Sequence, residues 1–395
     1  MRPRLAIPLA AIAFLSAGCA GKITGTALAA HSAPIQITTT TAPPTTTTTT
    51  TAPPTTTTTA KPPPPAAPKP AAPAGNPNGH AAIPAAAQPV DTSHPTHLIG
   101  TGTAASCTSA AVLGAVAAGG VITFACGPAP VTITLTATAK IRNTSPTVVI
   151  DGGGLVTLSG AGARRILYQD TCDTTQGKVS SNCYDQSQPK LTVQNLTFAN
   201  GNSTGQTTAD GGGGGAIFAL GGRLTVINSR FESNRCDSTG PDLGGAGVRV
   251  LNEYQNQPIY VVDSTFEGGA CSNGGALSSI GVSWVVLNDV MSGNTAIGNG
   301  ANPASPGTPG GGSGGAIYTD GDTYTLKIAG TLIENNHANE GGGAVFYVSN
   351  DHTGTMTVES STLSHNVSAS FETAGFPGIF FLGSGKPVIS GSTLK

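Results

Sequence analysis

The chain has 395 residues, of which 10% are charged and 55 are glycine, and its formal net charge is −2. A charged fraction this low, together with this much glycine, argues against a helical bundle, a coiled coil or a charge-rich disordered chain. The balanced charge offers no basic patch that would pair with phosphates, so a nucleic-acid partner is not expected.

The first residues have the pattern of an export signal. Two arginines precede a short apolar stretch at 5–15, and the small-residue sequence SAGC follows and ends at Cys19. The apolar stretch is too short to span a bilayer, which predicts a cleavable signal over 1–18. The ending resembles the lipobox of bacterial lipoproteins, and this resemblance implies a lipid anchor on Cys19. It departs from the usual pattern because Ser16 lies three places before the cysteine, and ordinary secretion is the alternative.

Residues 19–97 are rich in threonine, proline and alanine. Between residues 38 and 75 almost no side chain can bury apolar area, so the stretch 19–97 is predicted to be an extended, disordered tether. With a lipid at Cys19, the tether would hold the remaining domain, 98–395, away from the membrane at the cell wall or surface. The threonine and proline density also resembles O-glycosylated stalks, and a passive linker would give the same geometry.

Six cysteines lie beyond the tether. An even number in an exported domain predicts three disulfides, among fifteen possible pairings. A metal site is not favoured, because CxxC spacing is absent. The order along the chain favours neighbours: Cys107 with Cys126, Cys172 with Cys183, and Cys236 with Cys271.

A repeated unit dominates the domain. Each unit contains three short strands and cannot close a core alone, so stacked copies are predicted to form a solenoid of parallel strands. Helix-period stretches between the strands are absent, which excludes leucine-rich and ankyrin arrays. The first strands align as GGAIFAL (214–220), GGAGVRV (244–250), GGALSSI (274–280), GGAIYTD (314–320), GGAVFYV (342–348) and FPGIFFL (376–382).

Two polar columns accompany the strands. A second element follows each first strand, as in LTVINSRF (224–231), and consists of two short strands joined by a hinge. This hinge is predicted to be a sharp turn whose stacked asparagine side chains bond the backbone of the next turn and form a ladder. A further asparagine lies three places after the apolar residue near the end of the second element, which gives a second polar column. The hinge column is Asn195, Asn228, Asp263, Asn288, Gly330, Ser360 and Gly391, and the second column is Asn234, Asn294, Asn336 and Asn366.

These GGA[ILV] and FxxN elements resemble the repeats of polymorphic outer-membrane proteins. Over 107–395 the chain resembles the pectin-lyase-like right-handed parallel β-helix superfamily. The resemblance implies an all-β right-handed parallel β-helix with a short N-terminal capping helix, beginning at Cys107 and ending at Gly119. It also implies that Cys107 and Cys126 join this helix to the first strand, and that variable loops build a binding cleft.

The superfamily includes lyases, hydrolases, tailspikes and adhesins, so the fold alone does not name a function. Asp237 and Asp242 share one loop, Arg249 lies on the next strand, and Asp320 and Asp322 follow two units later. They do not form a column, and the NTD, DD, GHG and RIK elements of polygalacturonases are absent. No catalytic residue, metal or cofactor is therefore predicted.

One column is enriched in aromatic residues. Its side chains either fill the interior or stand outside as a platform on which sugar rings stack, and alternation does not decide between these. The column reads Phe218, Val248, Ser278, Tyr318, Phe346 and Phe380, and its four aromatic members are the candidate glycan-binding residues.

The sequence thus predicts an exported, lipid-anchored surface protein that binds a polysaccharide, a cell wall or a host surface without catalysis. The alternatives are a polysaccharide lyase or hydrolase of the pectate-lyase type and a structural spacer. The last unit is apolar, so its open edge predicts either an end-to-end dimer or a monomer whose edge is blunted by Pro377, Pro387, Lys386 and the loop 364–375.

Overall fold

The computed structural model describes residues 73–177, 179–207 and 211–395. The predicted export signal, Cys19 and the first part of the predicted tether lie outside these residues. Within them, the chain is built mainly of parallel β-strands, consistent with a β-helix or solenoid. None of the helices in this described part is long and apolar enough to cross a membrane.

The strands form three parallel sheets, here called A, B and C. Sheet A contains His97–Ile99, Gly120–Phe124, Val131–Thr134, Thr147–Ser159, Lys190–Ala199, Arg223–Ile227, Arg230–Glu232, Ile259–Val262, Thr265–Glu267, Trp284–Leu287, Val290–Ser292, Thr325–Ala329, Leu332–Glu334, Thr355–Glu359, Thr362–Ser364, Val388–Ser390 and Thr393–Leu394. Sheet B contains Ala139–Lys140, Leu167–Asp170, Ile217–Leu220, Val248–Leu251, Leu277–Ile280, Ile317–Gly321, Val345–Ser349 and Ile379–Leu382. Sheet C contains Ala270–Cys271, Thr295–Ala296, His337–Ala338 and Val367–Ser368.

The helical segments are short. The single α-helix of the described residues is Ser109–Ala118, and 3₁₀ turns occur at Ala85–Ala87, Ala104–Ser106, Thr174–Gln176 and Tyr254–Asn256. The hydroxyl of Thr108 accepts from the backbone N–H of Ala111, which is the capping expected of a threonine at a helix start. Gly119, at φ 78°, ends the helix where its sequence predicted.

The core lies between sheets A and B. Each pass of the chain through the sheets, here called a rung, places aliphatic side chains at equivalent positions in register with the next rung. Sheet A adds a row of stacked rings, in which Phe231 lies between Phe198 at 4.9 Å and Phe266 at 4.5 Å between ring centroids. The sheet B row reads Ile217, Val248, Leu277, Ile317, Val345 and Ile379.

The predicted hinge column is confirmed. All seven of its residues have positive φ, from 42° at Asn228 to 62° at Gly330. Glycine and asparagine tolerate this left-handed conformation better than other residues, which explains the composition of the column. Asn228 Nδ2 donates to Asn195 Oδ1 at 2.7 Å, which is a bond between side chains where bonds to the backbone of the next turn were predicted.

The second asparagine column also forms a ladder. Asn294 Nδ2 donates to Asn336 Oδ1 at 2.9 Å, and Asn336 Nδ2 donates to Asn366 Oδ1 at 2.8 Å. The same amides also donate to backbone carbonyls of the preceding rung, such as that of Phe266. These bonds satisfy buried polar groups where the chain turns away from sheet A.

Three disulfides join the cysteines in the neighbour pairing that their order favours. Cys107 bonds to Cys126, Cys172 to Cys183, and Cys236 to Cys271. The first links the segment before the α-helix to the segment after the second strand of sheet A. The second closes a loop beside sheet B, and the third links two successive rungs.

Residues 73–92, here called the strap, differ from the predicted tether. Asn288 accepts from the backbone N–H of Ala81 at 2.8 Å and donates to its carbonyl at 3.1 Å. Gln194 makes the same paired contact with Val90, at 2.9 and 3.0 Å. The strap therefore follows the hinge column of sheet A, whereas the tether was predicted to extend to residue 97.

The physical reason lies in amide pairing. A segment poor in apolar side chains lacks a core of its own, but the side-chain amides of Asn288 and Gln194 supply it with backbone-like partners. A small apolar cluster assists, in which Ala87 packs with Val262, Leu287 and Ala329. The composition of 73–97 contained no sign of these partners, because they belong to distant rungs.

Candidate functional site

The aromatic column lies on the outer face of sheet B. Along Ile217–Leu220, Ile217 and Ala219 belong to the main core, whereas Phe218 and Leu220 belong to a separate cluster. Alternate side chains of a strand point to opposite faces, so the column points away from the core. This resolves the alternative that the sequence left open.

The rings of this column are nevertheless covered. Phe218 and Tyr318 are 0% exposed and Phe346 is 2% exposed, whereas Phe380 is partly exposed. Phe371, from a loop between rungs, packs edge-on against Phe346 and Phe380. A sugar needs an accessible ring face, so Phe218, Tyr318 and Phe346 do not form the predicted stacking platform. The prediction treated the face as bare, but loops cover it.

The register of one rung also differs from the sequence alignment. Val248 pairs with Ile217, and Arg249 pairs with Phe218. The same shift extends through the preceding glycines, because Gly213, and not Gly214, pairs with Gly244. The outer column therefore contains Arg249 instead of Val248, and this places a guanidinium on the outer face.

A cleft of about 550 Å³ lies beside Arg249 on this face. Its floor is apolar and comes from three successive rungs, in which Leu220 pairs with Leu251 and Leu251 with Ile280. Polar side chains line it as well. They are Asp242, Arg249, Asn252, Asp320 and Asn350, and Tyr184 adds an aromatic ring. Such a mixture of apolar surface and a few convergent polar groups is typical of ligand sites.

Arg249 is 1% exposed and is held from two sides. Its Nη1 donates to Ser278 Oγ and its Nη2 to the backbone carbonyl of Asp242. Its buried Nε has no hydrogen-bond partner among the described residues. Burial lowers the pKa of Arg249 to about 10, against the opposing effects of Tyr318, Asp242 and Asp320. The guanidinium therefore stays charged at neutral pH.

The carboxylates of Asp242 and Asp320 both accept a hydrogen bond from the side-chain amide of Asn302. Asn302 Nδ2 donates to Asp320 Oδ2 at 2.6 Å and to Asp242 Oδ1 at 3.3 Å. Asp320 also accepts from the Tyr318 hydroxyl at 3.2 Å and from Asn350 Nδ2 at 3.1 Å. Burial raises the pKa of Asp320, and its hydrogen bonds, from Gly321, Asn350 and Tyr318, oppose that rise.

The structure thus brings together residues that the sequence placed apart. Asp242, Arg249 and Asp320 line one cleft, although they form no column along the chain. Asp237 instead accepts from the N–H of Gly205, and Asp322 is exposed elsewhere, so neither lines the cleft. Across 73–177, 179–207 and 211–395, no group of three or more His, Cys, Asp or Glu residues is arranged to hold a metal ion.

Tyr184 is a site residue that sequence reasoning missed. It is 43% exposed and follows Cys183, whose disulfide to Cys172 fixes the loop beside the cleft. It lies outside the repeated strands, so no column contained it. Its position next to a half-cystine in a loop was the available signal, because a disulfide holds such a ring in place.

Comparison with known proteins does not assign the chain. No family model matches it, and neither the curated proteins nor the solved structures contain a match. Function must therefore be inferred from the residues of the cleft, since a fold class hosts many unrelated functions.

Proposed function

We propose that the protein is an exported right-handed parallel β-helix, with the α-helix at 109–118 as its N-terminal cap, that binds a neutral glycan in the outer cleft without cleaving it. The exposed ring of Tyr184 beside an apolar floor and amide and carboxylate side chains supports this proposal. An aromatic face packs against the C–H face of a sugar, and the polar groups bond its hydroxyls.

The charge of the cleft favours a neutral ligand. Its lining includes two carboxylates, Asp242 and Asp320, and one guanidinium, Arg249. Arg249 is already directed at Ser278 and at a backbone carbonyl, so it offers little to an incoming anion. A polyuronate would approach carboxylates of its own sign, at a cost that shared hydroxyl contacts would have to offset.

The hydrogen bonding of Asp320 favours binding over catalysis. Its oxygens accept from Asn302, Asn350, the Tyr318 hydroxyl and the N–H of Gly321. A carboxylate occupied in this way fixes the shape of the cleft, and a substrate would have to displace one of these donors before a proton could move.

A glycan array with the full-length chain tests the proposal, followed by titration of the best neutral ligand. Tyr184→Ala should weaken its affinity by about 1 kcal/mol, close to fivefold, and Tyr184→Phe should retain it. Tyr260→Ala is the matched control, because Tyr260 lies on sheet A away from the cleft. Failure of any glycan to bind, or equal losses in both alanine variants, would contradict the proposal.

A second candidate is glycoside hydrolysis. Asp320 is largely buried with a raised pKa and Asp242 is exposed, and one amide bridges them. Two carboxylates in different environments are the requirement for an acid and a base flanking a glycosidic bond. Release of reducing ends from a bound glycan, abolished by Asp320→Asn and by Asp242→Asn without loss of binding, would establish this function in place of binding alone.

The location of the protein is part of the same proposal. Three disulfides suit an oxidising compartment, and the signal-like start with Cys19 suits export with a lipid anchor. A glycan site on a lipid-anchored domain would face the cell wall or the cell's surroundings, where polysaccharides are found.

A further inference from the structure

A second groove lies nearer the N-terminal end of the outer face of sheet B. It consists of two depressions of about 370 and 350 Å³ that share Thr138, Lys140 and Thr175. Arg142 lines one depression, and the guanidinium of Arg165 lies at the other. We call these two depressions together the basic groove, because their charged lining is three cations and the carboxylate of Asp173.

The cations of the basic groove are not neutralised by ion pairs. The salt bridge found within the described ranges joins Lys327 to Glu359, far from this groove. Arg142 Nη1 donates to the backbone carbonyl of Thr175 at 2.9 Å, and Lys140 is exposed. Lys140 and Arg142 are therefore available to a ligand, whereas Asp237 and Asp170 offset the charge of Arg165.

Asp173 offsets part of this charge by its attraction to Lys140, but its oxygens are held by neutral donors. Its Oδ1 accepts from the N–H of Thr175 at 2.8 Å and from the hydroxyl at 2.7 Å. Its Oδ2 accepts from Gln176 Nε2 at 3.1 Å. Both oxygens are thus directed at the 3₁₀ turn Thr174–Gln176, of which Asp173 is the N-cap.

A stack of rings holds the groove in shape. The ring of Tyr168 has the ammonium of Lys140 at 5.3 Å and the guanidinium of Arg165 at 5.5 Å from its centroid, and it stacks on Phe218 at 5.5 Å. The guanidinium of Arg165 donates to the backbone carbonyls of Gly214, Gly213 and Gln206. Its side chain is 3% exposed. These contacts fix a cationic floor before any ligand arrives, which lowers the ordering cost of binding.

We propose that the basic groove binds an anionic group of a polymer, a sulfate, phosphate or carboxylate, through Lys140 and Arg142. This site is distinct from the neutral-glycan cleft. In sheet B, Lys140 pairs with Tyr168, Tyr168 with Phe218, and Phe218 with Arg249. Three strand spacings of about 4.8 Å therefore separate the two sites along the sheet, roughly 14 Å. A polymer with anionic substituents on otherwise neutral units could occupy both.

The test uses the full-length chain and two probes of the same backbone, dextran sulfate and uncharged dextran. The chain should bind dextran sulfate and lose at least about tenfold in affinity in Lys140→Gln and in Arg142→Gln, since each removes a charge-assisted contact. Lys190→Gln is the matched control, because Lys190 is an exposed lysine on sheet A. Added salt should weaken the binding of dextran sulfate to the wild-type chain more than to a variant that carries both Lys140→Gln and Arg142→Gln.

The outcomes separate this site from the cleft. Tyr184→Ala should leave dextran sulfate binding unchanged, so loss of neutral-glycan binding alone would affect only the proposed function. Equal weakening by Lys190→Gln, or no weakening by either groove variant, would overturn the basic groove as a site. Competition by inorganic phosphate, by acetate and by polyphosphate would then distinguish phosphate from carboxylate as the anionic group.

Discussion

Removal of the Asn288 side chain should loosen the strap around Ala81 while the hinge keeps its backbone conformation. Asn288 makes two hydrogen bonds to Ala81, and its own φ is 58°. Asn288→Gly deletes both bonds and keeps a residue suited to positive φ, whereas alanine would add backbone strain of about 1–2 kcal/mol. At about 0.5–1.5 kcal/mol for each bond, the strap should lose about 1–3 kcal/mol of local stability.

Hydrogen exchange measures this loss directly. The amide of Ala81 and its neighbours in the strap should exchange about five- to 150-fold faster in the variant, while core amides of sheet A stay protected. Ser360→Gly is the matched control, because Ser360 occupies the same column at φ 47° and its side chain makes no hydrogen bond to the strap. Unchanged exchange in Asn288→Gly, or equal acceleration in the control, would refute the assignment of the strap to these bonds.

Three further predictions concern the core, pH and anchoring. Phe231→Ala should lower the free energy of unfolding by about 3–5 kcal/mol in chemical denaturation, because it empties the middle of a buried stack, whereas partly exposed Phe371→Ala should cost less. Burial raises the pKa of Asp289 well above its usual value, despite the hydrogen bond from the N–H of Ser264. Its ionisation therefore favours the unfolded chain, and stability should fall as pH rises above about 4. Asp289→Ser should flatten that decline, and an identical pH profile would contradict the reasoning. Cys19→Ala should release the protein from cells into the medium, and continued retention without a lipid label would rule out the anchor.

The hinge column was predictable because its requirement is local. A residue held at positive φ selects asparagine or glycine at that position regardless of what surrounds it, and the selection repeats in every rung. Ser360 and Asp263 are neither asparagine nor glycine, yet both adopt positive φ. The sheet B core row was not predicted in this way, because Ile217 and Phe218 are both apolar and alternation alone does not decide which of them faces the interior.

The register of Arg249 could have been read from alternation. Aligning GGAGVRV by its glycines places Val248 with Phe218, but Val248 and Val250 alternate as a core pair and leave Arg249 outside. The whole segment is shifted by one residue relative to that alignment, because Gly213 pairs with Gly244. Aligning the segment by its glycine motif hid the outward position of Arg249, which the two-residue alternation of the strand indicates.

The strap and the covering of the aromatic rings could not be predicted, because both depend on contacts across rungs. Phe371 reaches Phe346 from a loop, and Ala81 reaches Asn288 from more than two hundred residues away. Neither contact repeats along the chain, so no column indicates it. Sequence patterns locate what recurs in each rung, whereas loops and termini find partners that only the folded chain brings together.

The position of the cleft follows from an interruption of the aromatic column. On one side Tyr168 stacks on Phe218 at 5.5 Å, and on the other Tyr318 stacks on Phe346 at 5.0 Å. Between these two stacks the outer column holds Arg249 and Ser278, which cannot continue a stack of rings. Each stack lies under its own loops, so the interruption leaves a cleft with an aliphatic floor. Beside this floor the buried guanidinium of Arg249 donates to Ser278 Oγ and to the backbone carbonyl of Asp242. A column of outward rings therefore works as a support for loops, and the ligand site forms where that support stops.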